Sequence, residues 1–244
     1  MNGSTGVAIA DRIAKQRLNV IIVVDCSTSM RGERMAQVNN AIRDIKKYLA
    51  EMQSENTNVD FYITIITYST DAFFLNGDRC KPVEQFEFRD IKAGGWSNLH
   101  IAYKKLAEIL KKESKGGIMP DYGGVAPIIL LMTDGHPTND NMSDELSALK
   151  KLAWFKVALK YGIAIELNDK RTVKCLTDFV SGNGDVIECY DSRLLERIIK
   201  IIVLTASKVK STSTSIHAEK NASVTEEVKQ QVQQAIAEVD DWEW

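Results

Sequence analysis

Two stretches of this chain, "LNVIIVVD" at residues 18–25 and "APIILLMTD" at 126–134, are almost wholly apolar, and each stops at an aspartate. A strand with one wet face alternates apolar and polar residues, whereas a continuous β-branched run of strand length is covered on both faces. Such runs demand helices above and below a sheet, and the intervening sequence supplies them. In "MAQVNNAIRDIKKYLAEM" the residues Met35, Val38, Ile42, Ile45 and Leu49 repeat at helical spacing. "NVDFYITIITYST" reads as a strand, and the stretch carrying Phe73, Phe74, Val83 and Phe86 as an edge strand with turns. "NLHIAYKKLAEILKKE" follows as a helix, and "SDELSALKKLAWFKVALK" as another, capped by Ser143. "YGIAIEL" is a third central strand, "KRTVKCLTDFVSG" a short helix, "DVIECY" a last strand and "SRLLERIIKIIVLTAS" a closing helix. This alternation predicts an α/β fold, doubly wound, with a mainly parallel central sheet and helices on both faces.

The regular pattern ends near Ser207. Expected boundaries are an N-terminal segment at 1–14, one domain at 15–206, a polar Ser/Thr-rich linker at 207–222 and a tail at 223–244. Val224, Val228, Val232, Ala235 or Ile236, and Val239 form one helical stripe in that tail, which ends in Trp242 and Trp244. A stripe of this kind packs on something. The tail is expected to bind a partner through it and the two tryptophans, or else to fold back on its own domain.

A net charge of −2 offers no electrostatic case for nucleic acid or an anionic membrane. The first residues lack a signal peptide's apolar core, and no run approaches the ~20 residues that span a bilayer. Cys26, Cys80, Cys175 and Cys189 are scattered without a Cys-x-x-Cys pair, which reads as reduced thiols in a cytoplasmic protein.

In doubly wound sheets ligands sit at the carboxyl ends of the strands. Asp25 and Asp134 both stand there, and an extended Asp-x-Ser-x-Ser stretch would point Asp25, Ser27 and Ser29 the same way. Carboxylate and hydroxyl oxygens are hard ligands, suited to Mg²⁺, Mn²⁺ or Ca²⁺ rather than to copper or zinc. Two carboxylates against a divalent ion leave a nearly neutral site, which an acidic group from a partner protein can complete.

The segments "VVDCSTSM", "GGWSNL" and "LMTDGHPT" together resemble the metal-ion-dependent adhesion site of von Willebrand factor type A domains, over roughly residues 15–206. Within that superfamily "MRGERMAQVNNAI", "ITYSTDA" and "LMTDGHPTND" look most like bacterial TerY-type, tellurite-resistance, stand-alone cytosolic members. The resemblance implies that Asp25, Ser27, Ser29 and Asp134 are metal-site residues, with the serines direct ligands and the aspartates acting through water. Family members usually add a Thr from a Gly-Gly-Thr loop. Aligning on the following helix puts Ser97 at that position, whereas aligning on the glycines would put Trp96 there. Cys26 falls at the motif's variable position and is expected to point away from the ion. The resemblance further implies metal-dependent protein–protein recognition, with a protein kinase and a PP2C-type phosphatase among the partners.

Trp96 reads as a solvent-facing interface anchor or as a loop residue folded over the core, and His136 as a rim residue or an exposed loop histidine. Two rival functions compete with this reading. A Mg²⁺-dependent hydrolase of the haloacid dehalogenase type needs a second carboxylate two residues after its first, where this chain has Ser27. No phosphate loop, dinucleotide fingerprint or nucleophile elbow is present, so the expectation is a protein that is not an enzyme. The other rival is a scaffold that never uses metal and docks through its tail.

Overall fold

The computed structural model describes residues 15–55, 59–135, 142–166, 170–182, 184–190, 192–211 and 218–240. Strand β1 (Gln16–Asp25) lies at the centre of a seven-stranded sheet. Helix α1 (Glu33–Glu55) leads to β2 (Val59–Tyr68), and short β3 (Ala72–Phe74) and β4 (Lys81–Pro82) both pair antiparallel with β2. Helix α2 (Leu99–Ile109), β5 (Ile128–Thr133), α3 (Met142–Lys151), α4 (Ala153–Val157), β6 (Leu159–Ile165), α5 (Lys170–Val180), β7 (Gly184–Cys189), α6 (Ser192–Ser211) and α7 (Ala218–Asp240) complete the chain. The sheet order is β3-β2-β1-β5-β6-β7, parallel apart from β3 and β4. This is the doubly wound architecture expected from the sequence.

The pleat explains why the central strands need apolar residues at nearly every position. Leu18, Val20, Ile22 and Val24 of β1 enter the core shared with α1, α6 and α7. Ile21 and Val23 enter the opposite core, shared with α2, α3, α4 and α5. Strand β5 divides the same way, with Ile128, Leu130 and Met132 on one side and Ile129 and Leu131 on the other.

Three boundaries differ from expectation. The helix anticipated over 143–160 starts at Met142, one residue before its expected cap, and breaks at Leu152, whose ψ of 132° is extended. The break turns Trp154 and Phe155 inward and hands Leu159 and Lys160 to β6, where they pair with β5. The linker anticipated at 207–222 is helical at both ends, since α6 runs to Ser211 and α7 begins at Ala218. The tail, in turn, folds back: Val228, Val232 and Ala235 are buried in the same core as Tyr161, Ile187, Leu195 and Ile202. Arg197 pairs with Glu238, and Lys229 Nζ stands 3.9 Å from Asp185. Val228, Val232 and Ala235 of the apolar stripe offered as a partner-binding surface are therefore covered by their own domain, and the side chains of Val224 and Val239 lie outside the described residues. Residues 1–14, Trp242 and Trp244 lie outside the described residues.

Several buried groups depart from the apolar rule, and among the described residues Lys160 is the cationic one. Lys160 in β6 is 1% exposed, its ammonium donating to the carbonyls of Phe155 (3.1 Å) and Ala158 (3.0 Å). Burial, with a smaller push from Lys150, lowers its pKa from 10.5 to about 8.

Two outcomes follow for denaturant titrations. Val228→Ala is expected to cost about 2 kcal/mol by removing buried methyls, and exposed Gln230→Ala on the same helix less than about 0.5 kcal/mol. Equal effects would show that α7 does not pack as described. The folded Lys160 binds its proton more weakly than the unfolded one, so its penalty is complete below pH 8 and relieved as pH rises toward 10.5. Wild type should therefore gain about 3 kcal/mol on Lys160→Met across that window. A pH-independent difference would show that the ammonium is not desolvated.

Candidate functional site

Strand β1 is followed across one face to β2 and the later strands build outward from β5, so the gap between the ends of β1 and β5 is where the winding reverses. The β1–β5 register, Val24 opposite Met132, brings Asp25 and Thr133 to the same height at that reversal. On the other side Asp25 is paired in register with Tyr68 of β2.

The Asp25 carboxylate is fully buried and surrounded by donors. Its Oδ1 accepts the Ser27 N–H at 2.8 Å. Its Oδ2 accepts the hydroxyls of Thr133 and Ser97, both at 2.9 Å, and of Tyr68 at 3.2 Å. Burial raises the carboxyl above its usual range, and the hydrogen bonds from Ser27, Thr133 and Ser97 oppose that rise. Burial also pushes the Tyr68 phenol well up, which keeps it a donor.

The hydroxyl row follows. Ser27 and Ser29 have their Oγ atoms 3.1 Å apart, and Ser29 Oγ donates to Asp134 Oδ1 at 2.8 Å. The extended alternation expected here stops at Ser27, because Thr28–Met30 form a single 3₁₀ turn pinned by the buried Met30. The turn, rather than a pleat, brings the two serines together. Cys26 faces away as expected: its thiol donates to the Tyr68 carbonyl at 3.2 Å within the core, and burial raises it to about 11.

Ser97 arrives on the loop before α2, which is stitched to its neighbours on both sides. Gly94 N–H donates to Cys26 O (2.7 Å) and Thr28 N–H to Gly95 O (3.0 Å), while Asn98 N–H donates to Ser69 O (2.9 Å). Gly95 has φ +92°, and a Cβ there would stand 2.6 Å from Thr70 Oγ1, so this position requires glycine. The loop sends Ser97 inward and leaves Trp96 68% exposed. The register taken from the helix thus places the hydroxyl at the site and the indole in solvent. His136, the other expected rim residue, lies outside the described residues.

Arg34, in the first turn of α1, was not anticipated. Its Nη1 donates to Asp134 Oδ2 at 2.7 Å and to the Ser29 carbonyl at 3.2 Å, and its Nε to Glu166 Oε2 at 2.8 Å. Glu166 sits just beyond β6 with φ +48°, an uncommon conformation for a non-glycine residue, and Gln37 donates to its Oε1 at 3.4 Å. Glu166 carried a visible signal, since "YGIAIEL" also ends a central strand in a carboxylate. Thr133 and Tyr68 also end strands. Arg34 carried none, because one arginine among the charges of a helix start has no distinguishing spacing.

Asp25, Ser27, Ser29, Ser97 and Asp134 thus converge, as the sequence led one to expect. Among the described residues no group of three or more His, Cys, Asp or Glu side chains is placed to hold a metal. A cation here would rest on hydroxyls flanked by two carboxylates, a hard donor set.

A doubly wound sheet whose winding reverses at an Asp-x-Ser-x-Ser turn has the architecture of an A-type α/β domain. The chain belongs to the von Willebrand factor type A domain family, whose model matches residues 19–200. It is 24% identical over 146 residues to inter-alpha-trypsin inhibitor heavy chain H1 of Sus scrofa, covering 57% of this chain and 15% of that protein. To heavy chain H6 of Homo sapiens it is 27% identical over 128 residues, covering 49% of this chain and 9% of that protein. The chain therefore spans a small part of the length of these curated relatives. Among solved structures, a von Willebrand factor type A protein of Catenulispora acidiphila superposes with TM-score 0.57 at 12% identity, over 78% of this chain and 43% of that one. The ArnB paralog VWA2 of Sulfolobus acidocaldarius superposes with TM-score 0.50 at 21% identity, over 75% and 44%. These likenesses establish the fold. Among the described residues no helix is long and apolar enough to cross a membrane.

Tyr68→Phe keeps the ring and removes one buried donor to Asp25. It is expected to cost about 2 kcal/mol in urea denaturation, the range for a hydrogen bond to a charged group. No loss would mean that Ser97, Thr133 and the Ser27 N–H satisfy the carboxylate without it.

Proposed function

We propose that this chain is a protein-recognition module whose adhesive is a divalent cation. The observation that carries the reading is the spacing of oxygens at the strand ends. An octahedral Mg²⁺ shell at about 2.1 Å sets neighbouring ligand oxygens about 3 Å apart. Ser27 Oγ and Ser29 Oγ stand 3.1 Å apart, and Ser29 Oγ and Asp134 Oδ1 2.8 Å. Ser27 and Ser29 would hold the ion directly, with Ser97 as third hydroxyl, and Asp134 and Asp25 would supply charge. Asp25, fully buried with its oxygens occupied by donors, acts through the hydroxyls it orients. Mg²⁺ is the expected ion, with Mn²⁺ or Ca²⁺ of the same hard-acid class.

Such an ion supplies Lewis acidity for one carboxylate from outside. A partner's Asp or Glu would complete its shell, while exposed Trp96 adds contact area beside Ser97. This is a binding role and not a catalytic one. The family membership supports a protein-interaction module, and the likeness of the motif segments to TerY-type proteins supports a bacterial cytoplasmic stress or phosphorylation setting, with a protein kinase and a PP2C-type phosphatase as candidate partners. Metal-free docking through the tail is disfavoured by the burial of Val228, Val232 and Ala235.

The test is an affinity capture from host lysate in Mg²⁺ and in EDTA, with Asp134→Ala as control. Partners lost in EDTA and with the variant are the expected outcome. Partners retained in both conditions would end the metal-bridge reading.

A further inference from the structure

We infer that Arg34 and Glu166 set the cation affinity of this site, Arg34 as an internal cation competing for Asp134 and Glu166 as the carboxylate that draws it away. The inference rests on the metal-site reading above. Both oxygens of Asp134 are committed in the structure: Oδ1 accepts from Ser29 Oγ, and Oδ2 accepts Arg34 Nη1 at 2.7 Å. The Asp134 side chain is 1% exposed, so the guanidinium compensates a carboxylate largely removed from water. A divalent ion beside Ser29 and Asp134 would meet this fixed positive charge on the same carboxylate.

Glu166 offers the guanidinium somewhere else to go. It already accepts Arg34 Nε at 2.8 Å, and its place is fixed by Gln37, by the donation of its own N–H to Cys189 O at 2.9 Å and by its left-handed backbone. Arg34 can therefore give up Asp134 without becoming unpaired. The two residues consequently act with opposite sign. Removing the positive charge should tighten cation binding, whereas removing the Glu166 charge should leave Arg34 held by Asp134 and the Ser29 carbonyl and weaken cation binding. A residue that merely supported the fold would shift affinity in one direction or none.

The experiment is Mn²⁺ binding to the full chain by isothermal titration and electron paramagnetic resonance, on wild type, Arg34→Met, Glu166→Gln and the double variant. Methionine keeps the aliphatic bulk, and thermal melts without metal report folding. Arg34→Met is expected to bind about tenfold or more tightly, from a unit charge acting on a divalent ion at about 6 Å in a water-like dielectric. Glu166→Gln is expected to bind several-fold more weakly. The double variant should retain most of the tightening of Arg34→Met, because Glu166 acts chiefly through the guanidinium. The metal-induced rise in melting temperature should be larger in Arg34→Met than in wild type, since its Asp134 lacks a counter-charge until metal binds. Binding by wild type with Arg34→Met unchanged or weaker, or a Glu166→Gln effect undiminished in the double variant, would overturn the inference alone. Absence of binding by all four proteins would overturn the metal site itself.

Discussion

The Asp25 carboxylate is the point on which the strand-end face of this domain depends. A buried negative charge is costly unless hydrogen bonds surround it. Its donors come from four segments: Tyr68 at the end of β2, Thr133 at the end of β5, Ser97 on the loop before α2, and the Ser27 N–H on its own turn. Satisfying one carboxylate therefore fixes two strand ends and two loops relative to each other. The hydroxyl row of Ser27 and Ser29 is positioned as a consequence, and so is the exposure of Trp96.

Charge at the site is layered. Asp25 is neutralised by hydroxyl and amide dipoles, whereas Asp134 is neutralised by a formal cation, Arg34, which Glu166 shares. The two aspartates of the motif thus stand in different electrostatic settings, although the sequence presents them as equivalent strand-end carboxylates.

The far side of the sheet shows how burial competes for an amphipathic helix. Helix α7 has an apolar stripe that could serve a partner, yet Val228 and Ala235 are fully buried against α6 and the β6–β7 side of the sheet. A nearby surface in the same chain is always at high effective concentration, and it takes the stripe. Trp96, by contrast, stays exposed beside the carboxyl ends of the strands.

The sequence by itself determined the layering, the parallel sheet and the placing of Asp25, Ser27, Ser29 and Asp134 at its carboxyl edge. These follow from local rules: apolar runs mark strands covered on both faces, and residues ending central strands gather at one edge. Ser97 was reached only through the family resemblance, by the apolar spacing of α2, and the fold places its hydroxyl 2.9 Å from Asp25 Oδ2. The tertiary structure decided what no local pattern encodes. The 3₁₀ turn at Thr28–Met30, the break at Leu152, the burial of Lys160 and the return of α7 all arise from packing between segments distant in sequence. Arg34 reaches Asp134 across 100 residues and Glu166 across 132, and only the fold makes those three neighbours.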